Sequence, residues 1–363
     1  SSTGVLAESA GGTGTTVGYN GFKNRIINGA MVIDQRNAGA IYNPPTNQGY
    51  ALDRWTTWLS QNTYSVQQNA GSVTPPTGYS NYLGVTVTSA TTIGVSDYFG
   101  VGQKIEGYNI ADLSWGTASA QSITISFWVR SSLTGNFGAV IRRGDGGQYY
   151  AFLYSISAAN TWEQKTITIA GPTTGSWSTT NGTGLFLLLG LGAGANQTAS
   201  SNDTWINGGV LGASGATPVV ATNGATFYIT GVQLEKGATA TSFDYRPYGT
   251  ELQLCQRYYT KILSSSAGFN ILAPATAAST SSVGAYVPFP VTMRASPTFS
   301  SANAILADGA VSSVVSSIGT VYAGNNTANV TFNGASTNLT VYRPTPVIAN
   351  NTSTAYIDMT AEL

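Results

Sequence analysis

Acid–base chemistry in this chain has to come from carboxylates, because histidine is absent from all 363 residues. That absence removes Ser-His-Asp and Cys-His nucleophilic sites and the common zinc sites. The single cysteine, Cys255, excludes an intrachain disulfide and leaves stability to packing and assembly. Two carboxylates flanking a glycosidic bond would suffice for hydrolysis. Asp97, Glu106, Asp112, Asp145, Glu163 and Asp203 are available, but their spacing singles out no pair. No solenoid repeat marks a β-helical hydrolase either. The neighbours Asp53 and Arg54 would point to opposite sides of a strand, so each is expected to pair elsewhere, in a structural ion pair.

Charged residues make up only 8% of the chain, with 15 Lys and Arg against 15 Asp and Glu. Nucleic-acid binding and polybasic membrane binding both need a basic surplus, so neither partner is expected. The longest apolar run, Leu185–Leu191, falls far short of the ~20 residues that span a bilayer, so no membrane insertion is expected. Plentiful Gly, Thr and aromatics at low charge point to an all-β protein with many turns. A nearly neutral surface offers little repulsion between copies, which favours a constitutive oligomer.

The elements follow from period-2 alternation. Leu83, Val85 and Val87 share a face, as do Ile123, Ile125, Phe127 and Val129, then Tyr150, Phe152, Tyr154 and Ile156. Ile167 and Ile169 form a shorter face, and Leu185–Leu189 reads as a strand covered on both sides. Asn24–Arg36 reads as a strand pair around the turn dipeptide Asn28-Gly29. These strands predict an antiparallel sandwich over 23–248, with long loops such as Gly190–Asn223 at its ends or rim. A helix follows at 249–263, with Thr250 as N-cap, Glu251 in the first turn and Lys261 in the last. Its two apolar stripes place Leu252, Leu254, Cys255, Tyr258 and Tyr259 in packing, between domains, between subunits or within one subunit. A charge at Leu254 or Tyr258 is expected to loosen the oligomer before the sandwich. A second, smaller β domain occupies 264–363, with Pro288 and Pro290 confining one strand to an edge. Residues 1–22 read as an extended linker or the end of a shaft.

An ordered series of segments carries a resemblance. Asn24–Met31, Asp53-Arg54-Trp55 and Thr124–Ser132 come first, then Asn160–Glu163 with Thr166–Ile169 and Gly171–Gly184. Gly231–Gly237 and Leu254–Tyr259 close it. Together they are similar to a module found in tailed-phage structural proteins, and Gly11–Gly14 resembles the segment that often precedes such modules. Val291–Pro297 and the ending Ala361-Glu362-Leu363 resemble the C-terminal domain that commonly follows. The resemblance implies a jelly roll akin to carbohydrate-binding modules, carried on a virion as a tail fibre or receptor-binding protein. It also implies a homotrimer joined to upstream fibre, tail or baseplate proteins, with a host cell-surface polysaccharide as partner. It offers no catalytic residues, so an enzyme is not expected. Head fibre, decoration or tail-tip protein is the alternative, followed by a glycan-degrading spike.

Sugars are bound by aromatic faces assisted by polar groups. Aromatics in loops or on polar faces are therefore the candidates: Tyr79, Tyr82, Tyr98, Tyr149, Trp177 and Trp205, with Tyr322 and Tyr342 in the distal domain; structural packing is the other use for each of them. No cofactor is expected. Modules of the resembled kind often carry a structural calcium ion, for which Asp34, Asp53 and Asp244 are the acidic residues near strand ends; bonding to turn backbones is the other use for them.

Overall fold

The computed structural model describes residues 22–309 and 311–363, so the linker or shaft end expected at Ser1–Asn20, with Gly11–Gly14, lies outside the described residues. Two compact units are present. The first takes the residues up to Met31, Asn43–Gln48 and Thr57–Arg246, and the second takes Val32–Tyr42, Gly49–Thr56 and Pro247–Leu363. Two segments that sequence assigns to the first domain thus group with the second unit.

The strands of the N-terminal half are β1 (Asn47–Leu52), β2 (Trp55–Leu59), β3 (Tyr64–Gln68), β4 (Leu83–Val87), β5 (Tyr98–Glu106) and β6 (Ile123–Ser131). They continue with β7 (Gly135–Arg143), β8 (Gln148–Ile156), β9 (Glu163–Ile169), β10 (Thr183–Ala193), β11 (Trp205–Asn207) and β12 (Thr226–Lys236). Their pairing is nested. β7 and β8 form a hairpin, β6 pairs with β9, β5 with β10 and β4 with β12, all antiparallel. The pairs fall into two sheets, β4-β12-β6-β9 and β5-β10-β7-β8. This is a jelly roll, as expected. β3 extends the first sheet; β2 and β1 extend the second beyond β5, and β11 extends it beyond β8. Inward rings join the layers: Phe127 meets Tyr154 at 5.1 Å, and Phe137 meets Phe227 at 6.1 Å. Burying each Phe contributes roughly 1.5–3 kcal/mol.

Leu185–Leu189 is buried along its whole length, as the unbroken apolar run predicts. Its second cover is the loop after β10, which lies over the outer face of the sheet instead of gathering at an end or rim. Leu211 packs on Phe186 and Leu188, while Ala199 and Ala213 pack on Val140 and Ala151. Gly138 makes the approach possible, since a Cβ there would stand 2.9 Å from the Cβ atoms of Ala213 and Ala216.

Asn24–Arg36 is not a strand pair; 27–30 is a turn, with Asn28 at φ 58°. Side chains replace the missing ladder. Gln103 accepts from Ile27 N at 2.8 Å and donates to Ile27 O at 2.7 Å. Asn24 Oδ1 accepts from Ile26 N and Leu234 N, and its Nδ2 donates to Val232 O.

The second unit begins with α1 (Tyr248–Gln256) and continues through β13 (Tyr259–Leu263), β14 (Ile271–Ala273), β15 (Ala275–Ala277), β16 (Ser282–Pro288) and β17 (Thr298–Ala302). β18 (Ala304–Ala307), β19 (Ser312–Ala323), β20 (Thr327–Gly334), β21 (Val347–Ala349) and β22 (Tyr356–Thr360) complete it. One sheet runs β14-β21-β18-β19-β20-β16-β15. Only Pro274 separates β14 from β15, so the two edges belong to one interrupted strand and the sheet closes on itself. Val283, Ala285, Val330 and Phe332 lie in its core. A smaller sheet, β13-β22-β17, completes the unit. β16 is not an edge strand: β15 flanks its first half and β20 its full length. Pro288 is tolerated because β15 no longer runs beside that end.

The helix stops at Gln256, short of the expected 263. Tyr258 N donates to Cys255 O in a tight last turn, and Tyr259–Leu263 then pairs with β22. Glu251 does lie in the first turn, but the N-cap is Pro247 instead of Thr250. Lys261 belongs to a strand, where its Nζ donates to Arg36 O. The apolar spacing taken for two helical stripes is that of a short helix running into a strand. Leu252 and Leu254 are half-buried, whereas Cys255, Tyr258 and Tyr259 are buried within this unit of the single chain. Tyr258 is 0% exposed beneath the Arg54 guanidinium, 3.6 Å from its ring centre, so a charge there attacks the unit itself before any oligomer.

Candidate functional site

The outer face of the jelly roll's β5-β10-β7-β8 sheet is open at one end of the covering loop. Directly opposed residues on neighbouring strands share a face. Lys104 opposes Phe186, Phe186 opposes Arg142, and Arg142 opposes Tyr149. The register therefore sets an aromatic ring between two cations, each one strand spacing of ~4.8 Å away. Trp58 of β2 packs on Phe186 at 5.1 Å and on Tyr98 at 6.3 Å. Lys104 Nζ stands 5.7 Å from the Trp58 ring centre and donates to Gln48 Oε1.

Trp58, Lys104, Arg142, Arg143, Gly144, Thr183 and Phe186 line a depression of about 90 Å³. Enclosed small-molecule pockets run to ~300–1,000 Å³, so this one suits one ring or end group of a ligand lying across the surface. It gathers three of the chain's 15 Lys and Arg residues. Arg143 Nε is held by Asp145 Oδ1 at 2.6 Å, and this hydrogen bond keeps the Asp145 carboxyl below its ordinary range. Arg142 forms no ion pair among the described residues, and its Nε has no hydrogen-bond partner there. Burial pushes its guanidinium below the ordinary value, and the charge of Asp145 offsets only part of that. The Trp58 Nε1 donor is likewise without an acceptor among the described residues. Gly146, in the β7–β8 turn at φ 76°, lets the Arg142 guanidinium lie flat against the backbone, where any Cβ would strike it.

Of the sequence candidates, Tyr98 alone borders this site. It is half-buried, and its hydroxyl donates to Asn47 Oδ1 at 3.2 Å. Tyr149 continues the row but is buried under the loop. Tyr82 is 0% exposed, packs on Tyr228, donates to Ala70 O and accepts from Val73 N. Tyr82→Phe is expected to cost about 1–2 kcal/mol in urea unfolding while leaving ligand binding unchanged. Tyr79 meets Phe243 edge-to-face and Tyr245 at a tilt, and fills the space beside Gly231. Trp177 and Trp205 form an edge-to-face knot with Trp115, and Tyr150 leans on Trp205. Their rings are largely spent on one another.

Tyr322 stands apart. It is 74% exposed on β19 and opposes Asn329 of β20, which opposes the exposed Tyr286 of β16. Two tyrosines thus flank an amide on the outer wall of the second unit. Tyr342 is also exposed, at φ 66°.

The strongest carboxyl perturbation lies elsewhere, in the second unit. Asp53 and Arg54 form the turn between β1 and β2 instead of lying in a strand; Arg54 makes the expected ion pair, whereas Asp53 is held by the neutral Gln35. Arg54 pairs with Glu362, which also accepts from Arg36 Nη2 at 2.8 Å. Asp53 accepts from the Gln35 backbone and side chain at 2.7 and 2.6 Å. Burial raises its pKa to about 7, against the attraction of Arg36 and those hydrogen bonds. A buried carboxyl beside a second one has the look of an acid–base pair, but Asp53 is 0% exposed and no substrate reaches it. Asp34 accepts from Asn37 N and Gly39 N, and Asp244 from Lys23 N and Asn24 N.

No known family model matches the chain, and no characterised protein matches it in sequence. Among solved structures, it is similar to the enzymatically active domain of tailspike protein 4 of bacteriophage CBA120, at 12% identity and TM-score 0.30, over 59% of this chain and 21% of that one. It is similar to a putative sugar binding protein from Bacteroides thetaiotaomicron at 11% identity and TM-score 0.34, over 59% of this chain and 100% of that one. A family 11 carbohydrate-binding module from Clostridium thermocellum, in complex with a β-1,3-1,4-mixed-linked tetrasaccharide, matches at 15% identity and TM-score 0.26, over 55% and 100%. The match spans about a fifth of the tailspike structure. Overlaps this loose say nothing of ligand or activity, and the jelly roll stands on its own strand pairing.

Proposed function

We propose that this chain is a virion protein of a tailed phage, the distal part of a trimeric tail fibre, which attaches to a cell-surface glycan without cleaving it. The phage assignment is supported by the ordered motif series from Asn24 to Tyr259. The glycan assignment is carried by one observation, the row Lys104–Phe186–Arg142 beside Trp58. Phe186 is 3% exposed and only supports the site from beneath, so the ring left to a ligand is the half-buried Trp58, with cationic donors beside it. A sugar stacks its CH face on such a ring while its hydroxyls bond. Three copies per fibre would multiply a weak single-site affinity through effective concentration.

Trp58→Ala is expected to weaken binding to a glycan-coated surface or host cells at least tenfold, measured by interferometry with the purified chain. Full binding by Trp58→Ala, with loss in Tyr322→Ala, would move the contact to the second unit. No binding to any glycan by the trimeric protein would sink the reading.

A further inference from the structure

We infer that the sugar taken by this depression is acidic, carrying a carboxylate or phosphate that Arg142 receives, with Lys104 on the far side of Phe186. The inference rests on the glycan reading above and goes beyond it by naming the class of sugar.

Charge accounting leads there. Arg142, Arg143 and Lys104 face the depression, and Asp145 is engaged by Arg143. Lys104 has the neutral Gln48 amide oxygen as an acceptor. In a chain of zero net charge, the pair Arg142 and Arg143 faces one carboxylate, Asp145, which Arg143 holds, so the unmatched charge is that of Arg142. A neutral sugar would leave the half-buried Arg142 guanidinium without an ion-pair partner, with only the more distant charge of Asp145 to offset it. Burying an unpaired charge is costly, whereas an arginine fork matches a carboxylate or phosphate with two parallel bonds. Trp58, half-buried and packed on the buried Phe186 at 5.1 Å, provides the apolar face for the ring.

The test uses the full chain and paired ligands differing only in charge. The carboxylate arm is hyaluronan and alginate, each against its carboxyl-reduced form. The phosphate arm is a mannose phosphate polymer against the same polymer after phosphatase. Neutral dextran and laminarin complete the panel. Binding in either arm is expected to fall tenfold to a hundredfold on removal of the charge, on the scale of a charged hydrogen bond. Arg142→Met should produce a similar loss, and Arg142→Lys a smaller one. The arm that responds tells carboxylate from phosphate. Binding unchanged by charge removal, or an acidic ligand held equally by Arg142→Met, overturns the acidic assignment; in the first case the glycan reading survives. Binding to nothing on the panel, acidic or neutral, overturns both. The charge-removal arms use only the wild-type chain, so a variant that fails to fold leaves the outcome decisive.

Discussion

Glu362→Gln should destabilise the second unit by about 3–5 kcal/mol, the cost of breaking a buried ion pair from one side. Glu362 is 5% exposed and holds two guanidiniums, Arg54 and Arg36. Arg54 is 1% exposed; burial would lower its pKa, but the attraction of Glu362, Tyr258 and Tyr50 outweighs that and raises it. Both arginines also lie on rings, Arg54 over Tyr258 at 3.6 Å and Arg36 over Tyr259 at 3.7 Å. A neutral amide keeps the shape of the carboxylate and removes the counter-charge, so the loss isolates the electrostatic part. Urea unfolding followed by tyrosine or tryptophan fluorescence measures it. The paired replacement Arg54→Met with Glu362→Gln should recover part of the loss, because the uncompensated charge goes with it. A single Glu362→Gln loss under 1 kcal/mol would show the pair to be no anchor at all.

That cluster was half legible in sequence. Adjacent Asp53-Arg54 in a charge-poor chain already implied separate ion pairs, and Ala361-Glu362-Leu363 stood out as a recognisable ending. What joined them was tertiary, 308 residues apart for Arg54 and Glu362. The jelly roll was legible for a local reason: period-2 alternation survives in Leu83–Val87 and Ile123–Val129, and an unbroken Leu185–Leu189 marks a strand covered twice. The helix end was misread because Tyr258, Tyr259 and Ile262 fit a helical spacing as well as a strand following a tight turn. The depression was not legible. Trp58, Lys104, Arg142 and Phe186 come from four strands, and only the register brings them together. Phe186 is core, as its apolar run implies, but nothing in sequence says that Trp58 packs on it, and Lys104 looked like any surface lysine. One signal was available, the adjacent Arg142-Arg143 before the turn Gly144–Gly147, a concentration of charge in a chain with so little.

The second large effect is a fall in stability as pH rises through neutrality, set by Asp53. Its carboxyl, ordinarily near 3.8, is raised to about 7, first by burial and in lesser part by the charge of Glu362. Below 3.8 it is protonated in folded and unfolded chains alike. Between 3.8 and about 7 the folded state keeps a proton that the unfolded chain has released, so stability from this group declines as pH rises through that window and levels off above it. A difference of about three units corresponds to on the order of 4 kcal/mol. Asp112 and Glu163 work in the opposite sense, since hydrogen bonds from Arg25 and Lys165 hold their pKa values down. Their contribution is lost only on acidification below the ordinary carboxylate range, which leaves pH 5–8 to Asp53. Urea unfolding across about pH 5–8 should therefore show the wild-type second unit weakening toward pH 8, and Asp53→Asn should flatten the profile and exceed the wild type at the alkaline end. An equally sloping Asp53→Asn profile would assign the dependence to another group. The two clusters of charge are also coupled: Glu362→Gln removes the like charge beside Asp53, so in that background the carboxyl should titrate lower and the pH window should narrow from its upper side. The same substitution thus weakens the unit overall and reduces its sensitivity to pH, a combination that simple loss of packing would not produce.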